Sequence, residues 1–288
     1  MKKTLSDRIF DVFNVLLLGL IAVLTLFPLY YVFVVSFTDP VEYLKSSFIL
    51  FPHRWSLASY SYLLATKAFV HSLGNSAFLT IVGTACSLVV TAALAYALSR
   101  KRLPGRRLLL LLILITILFS PGIIPNYLIV RNLHLINSVW ALILPVLASG
   151  WNVILMKNFF DGIPVELEES AAIDGCNDIT TFIRIILPLS LPSLAAFGLF
   201  YAVGYWNTFF NALLYLTDSA KWPIQVLLQN ILLNSQNSEL GMSAYVEAPP
   251  SETLKMAAVI VATIPILIVY PFLQKHFAKG AMVGSVKG

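Results

Sequence analysis

The residues of this chain best suited to chemistry in water crowd into one short segment. Asp161, Glu166, Glu168, Glu169, Asp174 and Asp178 lie there, out of 14 acidic residues in the whole chain. Pro164 suits the first position of a helix, where its missing N–H would have had no partner. Glu166, Glu168 and Glu169 then fall in the first turns, where negative charge meets the positive end of the helix dipole. Gly175 can take the left-handed conformation that ends such a helix. Asp178 can cap a second short helix over 179–187, which stops at Pro188. The predicted object is a helix, a glycine turn and a second helix, lying across the membrane face. Leu167, Ala171 and Ala172 make one side small and apolar, and Ile179, Phe182, Ile183 and Ile186 do the same for the second helix. Small residues permit close approach, so the chemistry expected is recognition of another protein's surface. The competing reading is an amphipathic linker resting on lipid head groups. Its acidity argues against that, because the cytoplasmic leaflet is itself negative.

Other reactive groups do not gather. His53, His71, His134 and His276 are scattered, with no His-Glu-x-x-His, no Gly-x-Ser-x-Gly and no clustered metal ligands. The reading is therefore catalytic residues none, metal none, and an intramembrane enzyme disfavoured. The chain lacks Gly-x-x-x-x-Gly-Lys-Ser/Thr, so it is not expected to hold ATP in a phosphate-binding loop. Cys86 and Cys176 read as free thiols. The basic run Ser99-Arg-Lys-Arg-Leu-Pro-Gly-Arg-Arg107 reads as a topology anchor near anionic lipid, in preference to a nucleic-acid patch.

The elements that must position the acidic segment are apolar. The 288 residues are 58% hydrophobic and 11% charged, with a mean hydropathy of +0.83. Soluble domains carry about 25% charged residues, so the chain reads as one integral membrane domain over 1–288. A membrane helix needs roughly 20 mainly apolar residues. Stretches at about 9–37, 73–99, 108–130, 139–160, 191–216 and 254–273 qualify. In lipid the backbone must satisfy its own polar groups, so the fold class expected is an all-α membrane protein with six transmembrane helices. Pro28, Pro121, Pro125, Pro145 and Pro265 are expected to kink them. The first span is too long for the apolar core of a cleavable signal.

Basic residues set the orientation. With the N-terminus in the cytoplasm, the inside segments carry Lys2, Lys3, Arg8, the 100–107 cluster, Lys157, Arg184, Lys275, Lys279 and Lys287. The outside segments carry only Lys45, Arg54, Lys67, Arg131, Lys221 and Lys255. Both termini are thus expected inside. Outside, 38–72 holds Trp55, Tyr60, Tyr62 and Phe69, which suit an interfacial aromatic belt. The outside segment 217–253, rich in Asn, Ser, Gly and Pro, reads as an exposed loop able to reach an external partner or as a plain connector.

Glu169-Ser170-Ala171, three residues, Gly175, nine residues, then Ile185-x-Leu187-Pro188 resembles the EAA loop of permease subunits of bacterial ATP-binding-cassette importers. The one departure is Ser170, where a first alanine is usual. The ending at 279–288 and Trp206-Asn207-x-Phe209 resemble the carbohydrate-importing, maltose-permease branch. With Ser36-Phe37-Thr38-Asp39-Pro40, the likeness is closer still to permeases for complex oligosaccharides, the alginate and LplC-like group. The resemblance implies the type I importer permease fold, with a core at about 70–280 after an N-terminal span at about 9–37, in the bacterial plasma membrane. It implies that Glu169, Ala171 and Gly175, with Glu168, Ala172 and Asp174 beside them, form a coupling helix between the fourth and fifth spans. That helix would sit in a groove of a cytoplasmic ATPase present in two copies, which binds ATP and Mg. A second, homologous permease and an extracytoplasmic solute-binding protein are implied as further partners, with a sugar as cargo and no cofactor in this chain. Asn234, Ser235, Gln236 and Asn237 are the candidates for touching the binding protein, and the tail either contacts the ATPase or frays.

Span five carries Tyr201, Tyr205, Trp206, Asn207 and Asn211, with the two tyrosines at helical spacing. Aromatic faces and amides bind sugars, so these are candidates for the substrate pathway; the alternative is helix packing with Asn as interhelical glue. Asn75, Ser76, Asn126 and Asn152 have weaker claims. Two other readings stay in view: the same fold carrying a peptide, amino acid or other small solute, and an ion-coupled secondary transporter. The second is disfavoured because no ionisable group lies mid-span.

Overall fold

The structure, a computed structural model, describes residues 5–46, 48–234 and 252–284, with the helical backbone alone for 5–9, 234 and 270–284. In chain order the helices are α1 (Leu5–Ser36), α2 (Pro40–Lys45), α3 (Ala58–Ala65), α4 (Lys67–Ser99), α5 (Arg106–Leu118), α6 (Ile123–Asn132), α7 (Gly150–Asp161), α8 (Glu166–Ile173) and α9 (Asp178–Thr181). They continue with α10 (Leu187–Leu189), α11 (Leu191–Trp206), α12 (Phe210–Tyr215), α13 (Ile224–Asn234) and α14 (Glu252–Gly284). Among the described residues the only β pairing is an isolated bridge between Thr38 and Trp55. The all-helical expectation holds, for the reason given: apolar stretches this long satisfy their backbone only within a helix.

The spans are interrupted more sharply than simple kinks, although two of the three bends fall near Pro121 and Pro145, where kinks are expected. Phe10–Ser36, Lys67–Ser99 and Glu252–Val269 are each long and apolar enough to cross a membrane alone. Three further stretches reach that length only as bent pairs: α5 with α6 at 118°, Val139–Val146 with α7 at 50°, and Asp178–Leu189 with α11 at 84°. The third predicted span breaks at 119–122, where Pro121 offers no donor and Gly122 turns to φ +84°. The fifth ends at Trp206, and Asn207 caps it before α12 restarts at Phe210. Pro28 and Pro265, by contrast, stand inside continuous helices. Pro125 sits in the first turn of α6, where an N–H has no intrahelical partner to lose.

The fold divides into two units, Met1–Val70 with Leu228–Ile264 and His71–Leu227 with Pro265–Gly288. In the first, the segment after α1 is folded and not a bare belt. Asp39 caps α2 through Val41 N at 2.9 Å, and the Glu42 carboxylate accepts from His53 N (2.9 Å) and Arg54 N (2.8 Å). Those backbone donors hold the Glu42 carboxyl below its ordinary range. Trp55 and Tyr62 are exposed, as an interfacial belt requires, but Phe69 is buried and the Tyr60 hydroxyl donates to Ser36 Oγ at 2.7 Å.

The second unit holds two packed cores. Leu79, Val130, Ile143, Tyr201, Tyr205 and Val226 belong to one. Ala92, Ala95, Tyr96, Met156, Phe160, Ile186 and Phe197 form the other, which lies beneath the acidic segment. At the far end of α4, Asn75 Nδ2 donates to Ala220 O (2.8 Å) and Trp222 O (3.2 Å), and Ser76 Oγ accepts from Ile224 N (2.8 Å). These two pathway candidates are therefore used to tie down a loop.

Candidate functional site

The acidic segment is a helix, a glycine closure and a second helical stretch. Val165 is the N-cap of α8, so Pro164 stands just before the cap and not at the first helical position expected of it, and the Pro164 carbonyl accepts from Leu167 N at 3.3 Å. Glu166, Glu168 and Glu169 occupy the first turn. At the far end Gly175 has φ +80°, Gly175 N donates to Ala172 O (3.1 Å) and Cys176 N to Ala171 O (2.9 Å). Those two bonds are the paired closure of a Schellman motif, which requires the left-handed residue. The second stretch is capped by Asn177, whose Oδ1 accepts from Thr180 N at 2.8 Å, and not by Asp178. Asp178 is spent elsewhere, as described below. The stretch does not stop at Pro188. A π turn over Phe182–Ile186 carries Leu187 N to Phe182 O, α10 follows, and the chain turns only at Ser190. Pro188 falls in the first turn of α10, so it removes no needed donor.

The basic hairpin after α4 packs on this segment, a contact that its reading as a topology anchor near lipid did not include. Arg100 pairs with Glu168, and Arg102 pairs with Asp178. Arg100 also donates to Ser99 Oγ from Nε (3.0 Å) and Nη2 (2.8 Å), and its Cζ lies 4.5 Å from the centroid of the Tyr96 ring. Burial pushes the guanidinium below its ordinary value, with the nearby Tyr96 working in the opposite direction. Tyr96 in turn stacks on Phe182 at 4.7 Å and 28° and meets Phe160 edge-on at 6.5 Å. Sequence periodicity gave no sign of these cross-segment pairs; the five bases at 100–107 and the six acids at 161–178 were the available signal. Between hairpin and segment lies a cleft of about 870 Å³, lined among others by Arg106, Glu169, Cys176 and Asn177.

Large apolar side chains are exposed on the segment among its acids. Ile173 is 87% exposed, Ile179 69%, Val165 56% and Ile183 55%. Ala172, Glu169, Asp174 and Gly175 are exposed with them, whereas Ala171 and Ile186 turn inward and Glu168 turns toward Arg100. The expected small apolar side is therefore split. Val165 and Ile173 are the surface residues that sequence reasoning missed; their position beside the proline entry and the glycine exit was the signal.

The pathway candidates separate into two groups. Tyr201, Tyr205 and Trp206 are buried. Tyr205 Oη meets Ser87 Oγ at 2.9 Å and Tyr201 Oη meets Thr91 Oγ1 at 2.7 Å, two bonds that set α11 antiparallel on α4. Ser149 N adds a bond to Tyr201 Oη at 3.3 Å, anchoring the start of α7. In this chain these tyrosines pack helices. Asn207 and Asn211 are exposed; Asn207 Nδ2 returns to Val203 O (2.9 Å), and its Oδ1 takes Gln225 Nε2 at 3.4 Å. Asn234 ends α13, and Ser235, Gln236 and Asn237 lie outside the described residues, as do residues 285–288 of the tail. Among the described residues no group of three His, Cys, Asp or Glu is arranged to hold a metal.

Known proteins resemble the whole of this architecture. Residues 87–283 match the family described as binding-protein-dependent transport system inner membrane component. Protein LplC of Bacillus subtilis (strain 168) is 48% identical over 289 residues, covering 100% of this chain and 98% of that protein. The polygalacturonan/rhamnogalacturonan transport system permease protein YtcP of the same organism is 49% identical over 286 residues, covering 99% and 100%. One chain in the crystal structure of a bacterial ABC transporter involved in import of the acidic polysaccharide alginate is 33% identical, with a TM-score of 0.88 over 96% of this chain and 99% of that one.

Proposed function

The chain belongs to the binding-protein-dependent transport system inner membrane component family, the permeases of ABC importers, and we propose that it is one of two transmembrane subunits moving an acidic oligosaccharide inward. In this reading each bent pair counts as one crossing, giving six crossings, a single transmembrane domain and both termini in the cytoplasm. The α8–Gly175–α9 segment sits in a groove of a cytoplasmic ATPase, and a copy of the segment on the second permease meets a second ATPase. ATP and Mg are held there. Closure of the ATPase pair favours one of two permease conformations, because its contacts with the segment differ in energy between them.

The observation that supports this most is the exposed row Val165, Ile173, Ile179 and Ile183 around a rigid glycine closure. Apolar groups gathered on a projecting, otherwise acidic piece mark a protein-binding surface. The acidic cargo follows the names of the relatives: pectic polymers for one and alginate for another are both uronate-bearing. Asn207, the C-cap of α11, and Asn211 in α12 are the exposed amides through which the chain would meet such a cargo.

The test is uptake of a labelled oligogalacturonide into proteoliposomes holding both permeases and the ATPase. Uptake is expected only with internal ATP and the binding protein. Uptake driven by a proton or sodium gradient without ATP contradicts the reading. In the same assay Asn207→Ala is expected to lower uptake several-fold with a change in stability of no more than about 1 kcal/mol, because its side chain is exposed and its bonds to Val203 O and Gln225 are solvent-accessible. Lost stability with unaltered uptake places Asn207 in packing.

A further inference from the structure

The short helix α8 follows α7 through the loop at 162–165, and a loop alone would let an eight-residue helix pivot. A pivoting helix transmits little. The structure supplies a second attachment. Tyr96 lies in the last turn of α4 and Arg100 directly follows the helix, with its guanidinium carbon 4.5 Å from the centroid of the Tyr96 ring. Tyr96 stacks on Phe182 in the second limb of the segment, and Arg100 pairs with Glu168 in the first. The side chains of Arg100 and Glu168 are 14% and 17% exposed, whereas those of Arg102 and Asp178 are 70% and 62% exposed. Exposed pairs contribute little because water and salt screen them; a shielded pair that also carries hydrogen bonds and a ring contact holds its geometry.

We propose that Arg100 is a positioning residue that fastens α8 to the end of α4, so that displacement of the docking segment moves α4 as well as the covalently joined α7 and α11. This rests on the reading that the segment docks on an ATPase. It adds a mechanical route through a span that is not adjacent to the segment in sequence. It also explains why the basic hairpin faces the acidic segment.

The test uses Arg100→Glu, Glu168→Arg and the double reversal, each in the reconstituted importer. The readout is ATP hydrolysis stimulated by the binding protein loaded with oligogalacturonide. Each single reversal is expected to reduce stimulation about tenfold, the scale of a lost coupling energy, while the ATPase still co-purifies. The double reversal is expected to return to within about threefold of the parent chain, since a pairwise interaction is restored. Unchanged stimulation in Arg100→Glu, or no recovery in the double reversal, overturns the proposal. If the single variants fail to insert, recovery by the double reversal still decides the matter. Docking itself is tested apart, with Ile173→Asp: an ATPase that binds this variant as tightly as the parent removes the docking reading, whatever Arg100 does.

Discussion

Gly175→Val is expected to abolish binding-protein-stimulated ATP hydrolysis in the assembled importer, while the chain still inserts in the membrane. Gly175 has φ +80°, and a Cβ placed there meets nothing within 4 Å. The effect is therefore conformational and not one of crowding. A left-handed backbone costs an ordinary L residue roughly 1–2 kcal/mol, and a β-branched one is a true outlier there. The chain escapes that cost by unwinding the closure, which breaks Gly175 N to Ala172 O and Cys176 N to Ala171 O. Asn177 then no longer caps α9 at the same place, and Ile173 and Ile179 lose their mutual register. Gly175→Asn is the control, because Asn visits the left-handed region at small cost; it is expected to keep most of the stimulation. Measuring stimulated hydrolysis for both variants, with insertion checked by membrane fractionation, separates the two cases. Full stimulation in Gly175→Val shows that the closure does not matter.

Gly83→Val is expected to have the largest effect on stability. A Cβ at Gly83 falls 2.6 Å from Cζ of Tyr205, a distance no real contact shows. The ring has little freedom to withdraw, because its hydroxyl is bonded to Ser87 and the side chain is buried. Overpacking of this kind costs typically 1–3 kcal/mol, and more where the neighbour is held. Melting in detergent is expected to fall by several degrees or to show no folded chain. Gly74→Ala and Gly204→Ala are built-in controls on α4 and α11, since nothing lies within 4 Å of a Cβ at either. Both are expected within about 0.5 kcal/mol of the parent. Adding Tyr205→Ala to Gly83→Ala is expected to relieve the clash, so the double variant should fall short of the sum of the two single losses.

The helical class was legible because lipid leaves the backbone no other solution, and the apolar stretches are long. The acidic segment was legible as well: Pro164, the first-turn acids and Gly175 are local signals, and a local structure answers them. Boundaries were less so. Asp178 looks like a cap from its type and place, yet Asn177, one residue earlier, takes that role, and Asp178 pairs with Arg102, distant in sequence. The break at 119–122 comes from Pro121 and the positive φ of Gly122, which a window of hydropathy averages away, and α11 ends at Trp206 with Asn207 as its cap inside a stretch that such a window reads as one span. Tyr201 and Tyr205 illustrate the same limit. Aromatic residues at helical spacing fit a sugar-lining stripe and a helix contact equally well, and only the partners Thr91, Ser87 and Gly83 distinguish the two.

The docking of the segment on a cytoplasmic ATPase is tested most directly by a single cysteine at Ile173, with Cys86 and Cys176 replaced by serine. Ile173 is the most exposed of the large apolar residues around the closure. With a short bifunctional reagent, Ile173→Cys is expected to crosslink to the ATPase in inside-out vesicles, with a yield that changes when ATP is trapped by vanadate. Labelling of that cysteine by an impermeant maleimide from the outside of intact cells, or a segment that never reaches the ATPase, would contradict it.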